Sequence, residues 1–273
     1  MSEQLRVLAI GAHPDDPDLN MGGTAARLAA AGACVRFVAM SNGDKGHATM
    51  FGPRLAERRR REATAAAKTF GIERTVILDH PDCELADDLE TRRELTRLIR
   101  EFAPHFIFTH RPCDYHADHR AASRLVQDAA YLLCVPGWCP DAKVPDVMPV
   151  IFFMRDSFMN QGAIRPDVAV DVTEVQDRVA DALACHESQL FEWDAQQVAG
   201  ALEAMPKDRS DVEAVRNYIR RFWFARKVFD AERFSLPFKY AEVFEVSEYG
   251  RQPTRAELET AFPKGSVIRF GAD

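Results

Sequence analysis

Short apolar runs alternate with longer stretches of helical period over the first half of the chain. Residues 5–10, 34–40, 75–78 and 106–109 are runs of strand length that are apolar apart from Arg6, Arg36, Thr75 and Thr109, as expected of strands buried on both faces of a parallel sheet. Between them the period lengthens. Residues 21–31, residues 54–70 with Gly71 as a C-cap, a segment opened by Asp87 or Asp88 and stopped by Pro104, and residues 120–133 all read as helices. Strand and helix in turn predict an α/β fold, a mostly parallel sheet flanked by helices. Strand order 3-2-1-4-5 would place the loops after strands 1 and 4 on either side of the switch-point crevice, where ligands of open α/β sheets sit.

The second half is less regular. Residues 134–149 hold Pro136, Pro140, Pro145 and Pro149 and so contain no helix interior. Residues 150–154 and 168–172 read as strands, and residues 173–190 as a helix with Thr173 as N-cap and Glu174 in its first turn. Residues 191–204 read as helical in part, and residues 208–229 as one long amphipathic helix carrying Phe222, Trp223, Phe224 and Phe229. That aromatic stripe is read as core, or as the contact of a homo-oligomer. Residues 240–246 alternate as a final strand, with Glu242 expected opposite to Phe244, and the tail from Gly250 is expected to wrap the surface. The expected whole is a single domain over residues 1–273. A Rossmann-like core (1–133) is followed by a Pro-rich insertion near the active site (134–167) and a C-terminal helix/strand extension (168–273) that completes the fold.

Composition narrows the function classes. A chain of 273 residues, 47% hydrophobic and 28% charged, is an ordinary soluble globular protein able to bury a large core. A net charge of −7 and a pI near 5.7, with no sustained basic stripe, argue against nucleic-acid binding. The one basic run, Arg58 to Arg61, spreads around a helix and reads mostly as a solvated face. Neither a transmembrane-length apolar run nor a basic leader is seen, so no membrane insertion and a cytoplasmic location are expected. The six cysteines (Cys34, Cys83, Cys113, Cys134, Cys139 and Cys185) form no C-x-x-C pair and read as reduced thiols. Whether Cys134 and Cys139 pair across Val-Pro-Gly-Trp is left open.

The chemistry gathers at two strand-to-helix loops. Strand 1 ends in Ala12-His13-Pro14-Asp15-Asp16, followed by Met21-Gly22-Gly23-Thr24. His13 and Asp16 can turn toward one point from a loop stiffened by Pro14, and their N/O mixture suits zinc. Asp15 then points elsewhere, where a carboxylate beside a metal takes a proton from water. The plainer alternative is an Asp-rich helix N-cap. Strand 4 ends in His110-Arg111-Pro112-Cys113-Asp114-Tyr115-His116-Ala117-Asp118-His119. His116 and His119, three apart at a helix start, can both face the crevice. Of the other histidines, His80 and His110 are expected to line the site, while His105 and His186 are expected to be structural.

Together these motifs resemble the LmbE-like (PIG-L-type) zinc N-deacetylases, through Ala-His-Pro-Asp-Asp with Gly-Gly and the later Pro-x-Asp-x-His-x-Asp-His. Weaker echoes are Ser41-Asn42-Gly43-Asp44-Lys45-Gly46, Arg59-x-x-Glu62, Pro81-Asp82, His186-x-Ser188-Gln189 and Tyr240-Ala241-Glu242-x-Phe244. The resemblance covers about the first 125 residues well and the rest thinly. It implies a zinc ion, or another divalent transition metal, held by His13, Asp16 and His119, with Asp15 as general base. It further implies that His116 steadies the oxyanion, with the proton for the leaving amine coming from either Asp15 or His116, that Asp118 orients His116, and that Asp114 holds the loop or touches substrate. From their place by the carboxyl edge, Asp82 and Arg59 are read as substrate contacts, Asp82 alternatively as a turn-former beside Pro81. Pro17 and Asn20 depart from a frequent form of the pattern in the loop framing the pocket, and Asp18 matches a subset with an acidic residue there, which touches substrate identity and spares the ligands.

The implied reaction is hydrolysis of an N-acetyl group on an N-acetylglucosamine-type sugar or conjugate, a small-molecule amino-sugar substrate. The rivals are a zinc amidase on another small amide, such as a thiol or antibiotic conjugate, and a non-catalytic sugar- or nucleotide-binding module. The absence of G-x-G-x-x-G after strand 1 weakens the dinucleotide version.

Overall fold

The computed structural model describes residues 4–160 and 162–271. The elements run β1 (Arg6–Gly11), α1 (Asp16–Ala30), β2 (Cys34–Ser41), α2 (Pro53–Phe70), β3 (Arg74–His80), α3 (Leu89–Phe102), β4 (Phe106–Thr109) and α4 (Ala117–Leu132). They continue as β5 (Val150–Met154), β6 (Val168–Asp171), α5 (Gln176–Leu183), α6 (Ala201–Ala204), α7 (Val212–Trp223), α8 (Ala225–Arg233), β7 (Ala241–Gly250), α9 (Arg255–Ala261) and β8 (Val267–Ile268). One eight-stranded sheet has the order β3-β2-β1-β4-β5-β7-β6-β8. The first five strands are parallel in the expected order, and β7 runs antiparallel between β5 and β6.

Period two sorts the strands into two cores. Val7 and Ala9 of β1, with Phe106 and Phe108 of β4, face α1, α2 and α5, whereas Leu8, Ile10 and Ile107 face α3 and α4. Phe106, Phe108, Phe152, Phe244 and Phe262 form a continuous ring cluster, each pair contributing about 0.5–1.5 kcal/mol beyond its area. Phe244 and Glu242 share the same face of β7, contrary to the expected opposition, because positions two apart on a strand point the same way.

Four further expectations are corrected. Helix α1 starts at Asp16, with Pro17 in its first turn, and is kinked at Met21 (φ −143°). The long helix over 208–229 is two helices meeting at Phe224, whose ring turns inward onto Tyr240. The helix over 173–190 ends as α5 at Leu183, and a π-helical turn, Ser188–Trp193, follows. The tail forms α9 and β8, the latter paired to β6.

Of the 134–167 stretch, residues 134–149 join α4 to β5. Helix α4 begins at the carboxyl edge of the sheet and delivers the chain to the start of β5 at the opposite edge. There the buried Arg100 guanidinium donates to the carbonyls of Leu132, Val135, Trp138, Cys139 and Ala142 at 2.7–3.0 Å. Cys134 and Cys139 are both free thiols, Cys139 buried and Cys134 exposed.

Candidate active site

The loop after β1 folds onto itself, its Asp16 carboxylate accepting the His13 backbone N–H at 2.7 Å. The first turn of α4 then meets it. His13 Nδ1 lies 3.4 Å from Asp16 Oδ2, His119 Nε2 lies 3.2 Å from His13 Nδ1, and His119 Nε2 lies 3.3 Å from Asp16 Oδ1. Four ligands at zinc-like bond lengths stand about 3.3–3.5 Å apart along the tetrahedron's edges. This trio is therefore spaced to share one ion, and the donor set fits the metal.

Each imidazole is backed by a carboxylate. His119 Nδ1 is 3.0 Å from Asp114 Oδ1, and His13 Nε2 is 3.1 Å from Asp82 Oδ1 and 3.5 Å from Asp118 Oδ2. Such backing fixes a ring's orientation and raises its basicity toward a metal. Burial pulls both histidine pKa values down, yet the Asp16 charge and the carboxylate contacts win: His13 is raised well above its ordinary value and His119 to about 9. Burial likewise opposes Asp16, whose carboxyl is nonetheless held well below the usual range by His119, His110 and His13. Positive charge is thus favoured where the ligand atoms converge. His110 stacks on His119 with ring centroids 4.0 Å apart, its Nε2 3.2 Å from Asp16 Oδ2.

His116 is the N-cap of α4. Its Nδ1 accepts the Asp118 backbone N–H at 3.1 Å, so the neutral ring carries its proton on Nε2. Burial, helped by the His13 and His119 charges, lowers its pKa. The Asp118 carboxylate accepts the Cys83 N–H at 2.8 Å and lies beside His13. Asp118 thus meets His116 only through its backbone, because α4 already begins at Ala117 and turns the side chain under the His13 ring.

Arg59, 2% exposed, donates from Nη2 to Asp15 Oδ1 at 2.7 Å. Asp82 is buried under His13 and accepts the Gly46 N–H at 3.1 Å. Asp114 lines the adjoining cavity while binding His119 and the His116 N–H. The three residues expected to meet substrate thus lie against His13, Asp15 and His119. His80 pairs with Glu94, His105 accepts the Arg6 N–H, and His186 pairs with the buried Asp18.

A cavity of about 400 Å³ opens beside the trio, running from His110 and His119 to Trp223 and Phe222. Its cations are neutralised in pairs, Arg111 with Asp156, Arg155 with Asp230 and Lys227 with Glu242. Asp16 and Asp114, each held by a histidine, and Asp194 line the remainder. Sequence reasoning missed Asp194, which sits at the end of an irregular turn with no period to mark it; Trp223, read as core or as an oligomer contact, packs against the core and also lines the cavity.

Residues 8–130 match the family described as GlcNAc-PI de-N-acetylase, PIG-L. A 4-oxalmesaconate hydratase from Pseudomonas putida is 29% identical over 199 residues, covering 70% of this chain and 76% of that one. A diacetylchitobiose deacetylase from Thermococcus kodakarensis is 28% identical over 192 residues, covering 68% and 71%. Among solved structures, the N,N'-diacetylchitobiose deacetylase of Pyrococcus horikoshii superposes with a TM-score of 0.71 at 24% identity, covering 89% of this chain and 83% of that one. At that identity it shows a shared fold.

Proposed function

The chain is LmbE-like, with a PIG-L-type domain at residues 8–130, and from that premise we propose that it hydrolyses the acetamide of a small N-acetylglucosamine-type conjugate. The observation that carries this reading is the trio of His13, Asp16 and His119, spaced for one ion and with both rings backed by carboxylates. A divalent cation there, zinc or a similar transition metal, supplies Lewis acidity toward an amide carbonyl and toward water.

The remaining work falls to the chain. Arg59 holds the Asp15 carboxylate in place, and Asp15 takes a proton from the attacking water. Oxygen adds to the acetyl carbon, and the His116 Nε2–H donates to the carbonyl oxygen as negative charge develops there. The C–N bond then breaks, and the proton held on Asp15 passes to the departing nitrogen, leaving acetate and an amine. Neutral His116, with Nδ1 occupied by the Asp118 N–H, is suited to donating a hydrogen bond and less to delivering a proton.

The hydratase relative raises a second reading, water addition to an unsaturated carboxylic acid. The cavity weighs against it, since Arg111, Arg155 and Lys227 are each already paired with a carboxylate and Asp194 adds a further carboxylate to the lining, which leaves, among the described residues, no basic side chain there to meet a second carboxylate of a polyanion. The deciding experiment is an amine-release assay over N-acetylglucosamine, its β-1,4 disaccharide and an inositol conjugate, with and without chelator, run beside hydration of 4-oxalmesaconate. Chelator-sensitive amine release supports the proposal; hydration without amine release ends it.

A further inference from the structure

The turn between α5 and α6 is pinned to the body of the protein by its polar side chains. His186 Nε2 lies 3.0 Å from Asp18 Oδ1, Ser188 N donates to Glu62 Oε1 at 3.0 Å, and Gln189 Nε2 donates to the Gly46 carbonyl at 2.9 Å. Glu192 accepts two bonds from the Arg58 guanidinium, at 2.8 and 2.7 Å, and lies 2.8 Å from His47 Nε2. These ties hold Ser188–Trp193 in a π-helical turn, a rare form that is frequent at functional sites. Next in the chain is Asp194. It lines the cavity, and among the described residues its carboxylate has no hydrogen-bond or ion-pair partner.

Asp194 is half-buried, and its carboxylate faces the cavity with its acceptor sites open to whatever fills it. Burial, with the charges of Asp15 and Asp16, pushes the Asp194 carboxyl up to about 6. The Trp223 indole lines the same cavity. An apolar ring face and an unpaired acceptor, held on a rigid turn, match the two surfaces of a pyranose: its C–H face and its hydroxyl edge.

We propose that Asp194 is a specificity-determining residue that accepts hydrogen bonds from the ring hydroxyls of the substrate's sugar, with Trp223 against the ring's apolar face. The proposal rests on the N-deacetylase reading for the identity of that ring. Asp194 then acts in recognition, outside the proton transfers assigned to Asp15.

The test compares wild type, Asp194→Asn and Asp194→Ala on an N-acetylglucosamine conjugate and on N-cyclohexylacetamide, which keeps ring and amide but lacks hydroxyls. Both variants should raise KM for the sugar by roughly 10- to 100-fold, the range of a hydrogen bond to a charged group, with kcat little changed. Turnover of N-cyclohexylacetamide should not move. Equal loss on both substrates, or none on either, overturns the proposal. Calorimetric titration of the same proteins with glucosamine and with cyclohexylamine gives a readout independent of turnover. Should wild type deacetylate no amino sugar, the parent reading fails. Even then, glucosamine binding weakened in the variants while cyclohexylamine binding holds upholds the subsite, and unchanged glucosamine affinity removes it.

Discussion

Asp15 and Asp194 are proposed to take different roles, because Arg59 pairs with the first while the second lines the cavity and, among the described residues, has no hydrogen-bond or ion-pair partner. Asp15→Asn keeps the shape and the neighbouring ligands but cannot take a proton. Amine release should fall by roughly 10²- to 10⁴-fold while metal content, read by atomic emission, stays the same. Asp194 carries a stability signature. Its folded pKa of about 6 lies above the unfolded value of about 3.9, so the folded state binds its proton more tightly. The stabilisation this gives is complete below the unfolded pKa and is lost as pH rises through the folded one. Asp194→Asn removes that loss. The variant should match wild type near pH 4 and exceed it above pH 7 by about 1–2 kcal/mol after allowance for solvent screening, seen in thermal melts across pH. Stability gained together with sugar affinity lost is the expected mark of a binding residue. Neither the Arg59–Asp15 contact nor the isolation of Asp194 was legible in the sequence, since both depend on which distant side chains face each other.

Helix α1 connects the metal loop to the rest of the molecule. Its kink at Met21 frees backbone donors, and Glu242 of β7 accepts two of them, Gly23 N–H at 3.0 Å and Thr24 N–H at 2.7 Å. The paired glycines have a packing reason: a Cβ on Gly22 would stand 2.5 Å from the Phe70 ring, and one on Gly23 2.6 Å from Val172. Gly22→Ala should therefore cost about 1–3 kcal/mol and lower activity only as far as the loop shifts, which melts and kinetics on one preparation would separate. At this scale the parallel strands were easily read, because burial on both faces leaves a continuous apolar run with clear ends. The irregular elements were not. A break at Phe224 and a π-helical turn at Ser188–Trp193 both leave helical periodicity nearly intact in the sequence, and only tertiary packing reveals them.

For the whole molecule, carboxylates converge on the place where the metal is expected, and binding there should stabilise the fold by mass action. Saturation at a hundredfold excess over Kd is worth about 2.7 kcal/mol, so chelation should lower Tm by roughly 5–10 °C for a chain of this size. Scanning calorimetry with and without zinc checks this, and a Tm indifferent to both would remove the metal site. Convergence of the two motif loops could be anticipated from strand order alone. The cavity could not, because α7, α8, β7 and the 155–158 loop build it from residues scattered between Arg155 and Val243. The bond from Gly23 to Glu242 spans 219 residues, and that from Asp18 to His186 spans 168. Closing such distant pairings is slow. The proposed metal loop and the side chains that back it, Asp82 and Asp114, belong to the first half of the chain, whereas Glu242 and much of the cavity wall come only with α7, α8 and β7, so a nascent chain gathers the ion's ligands well before it has a pocket for a substrate.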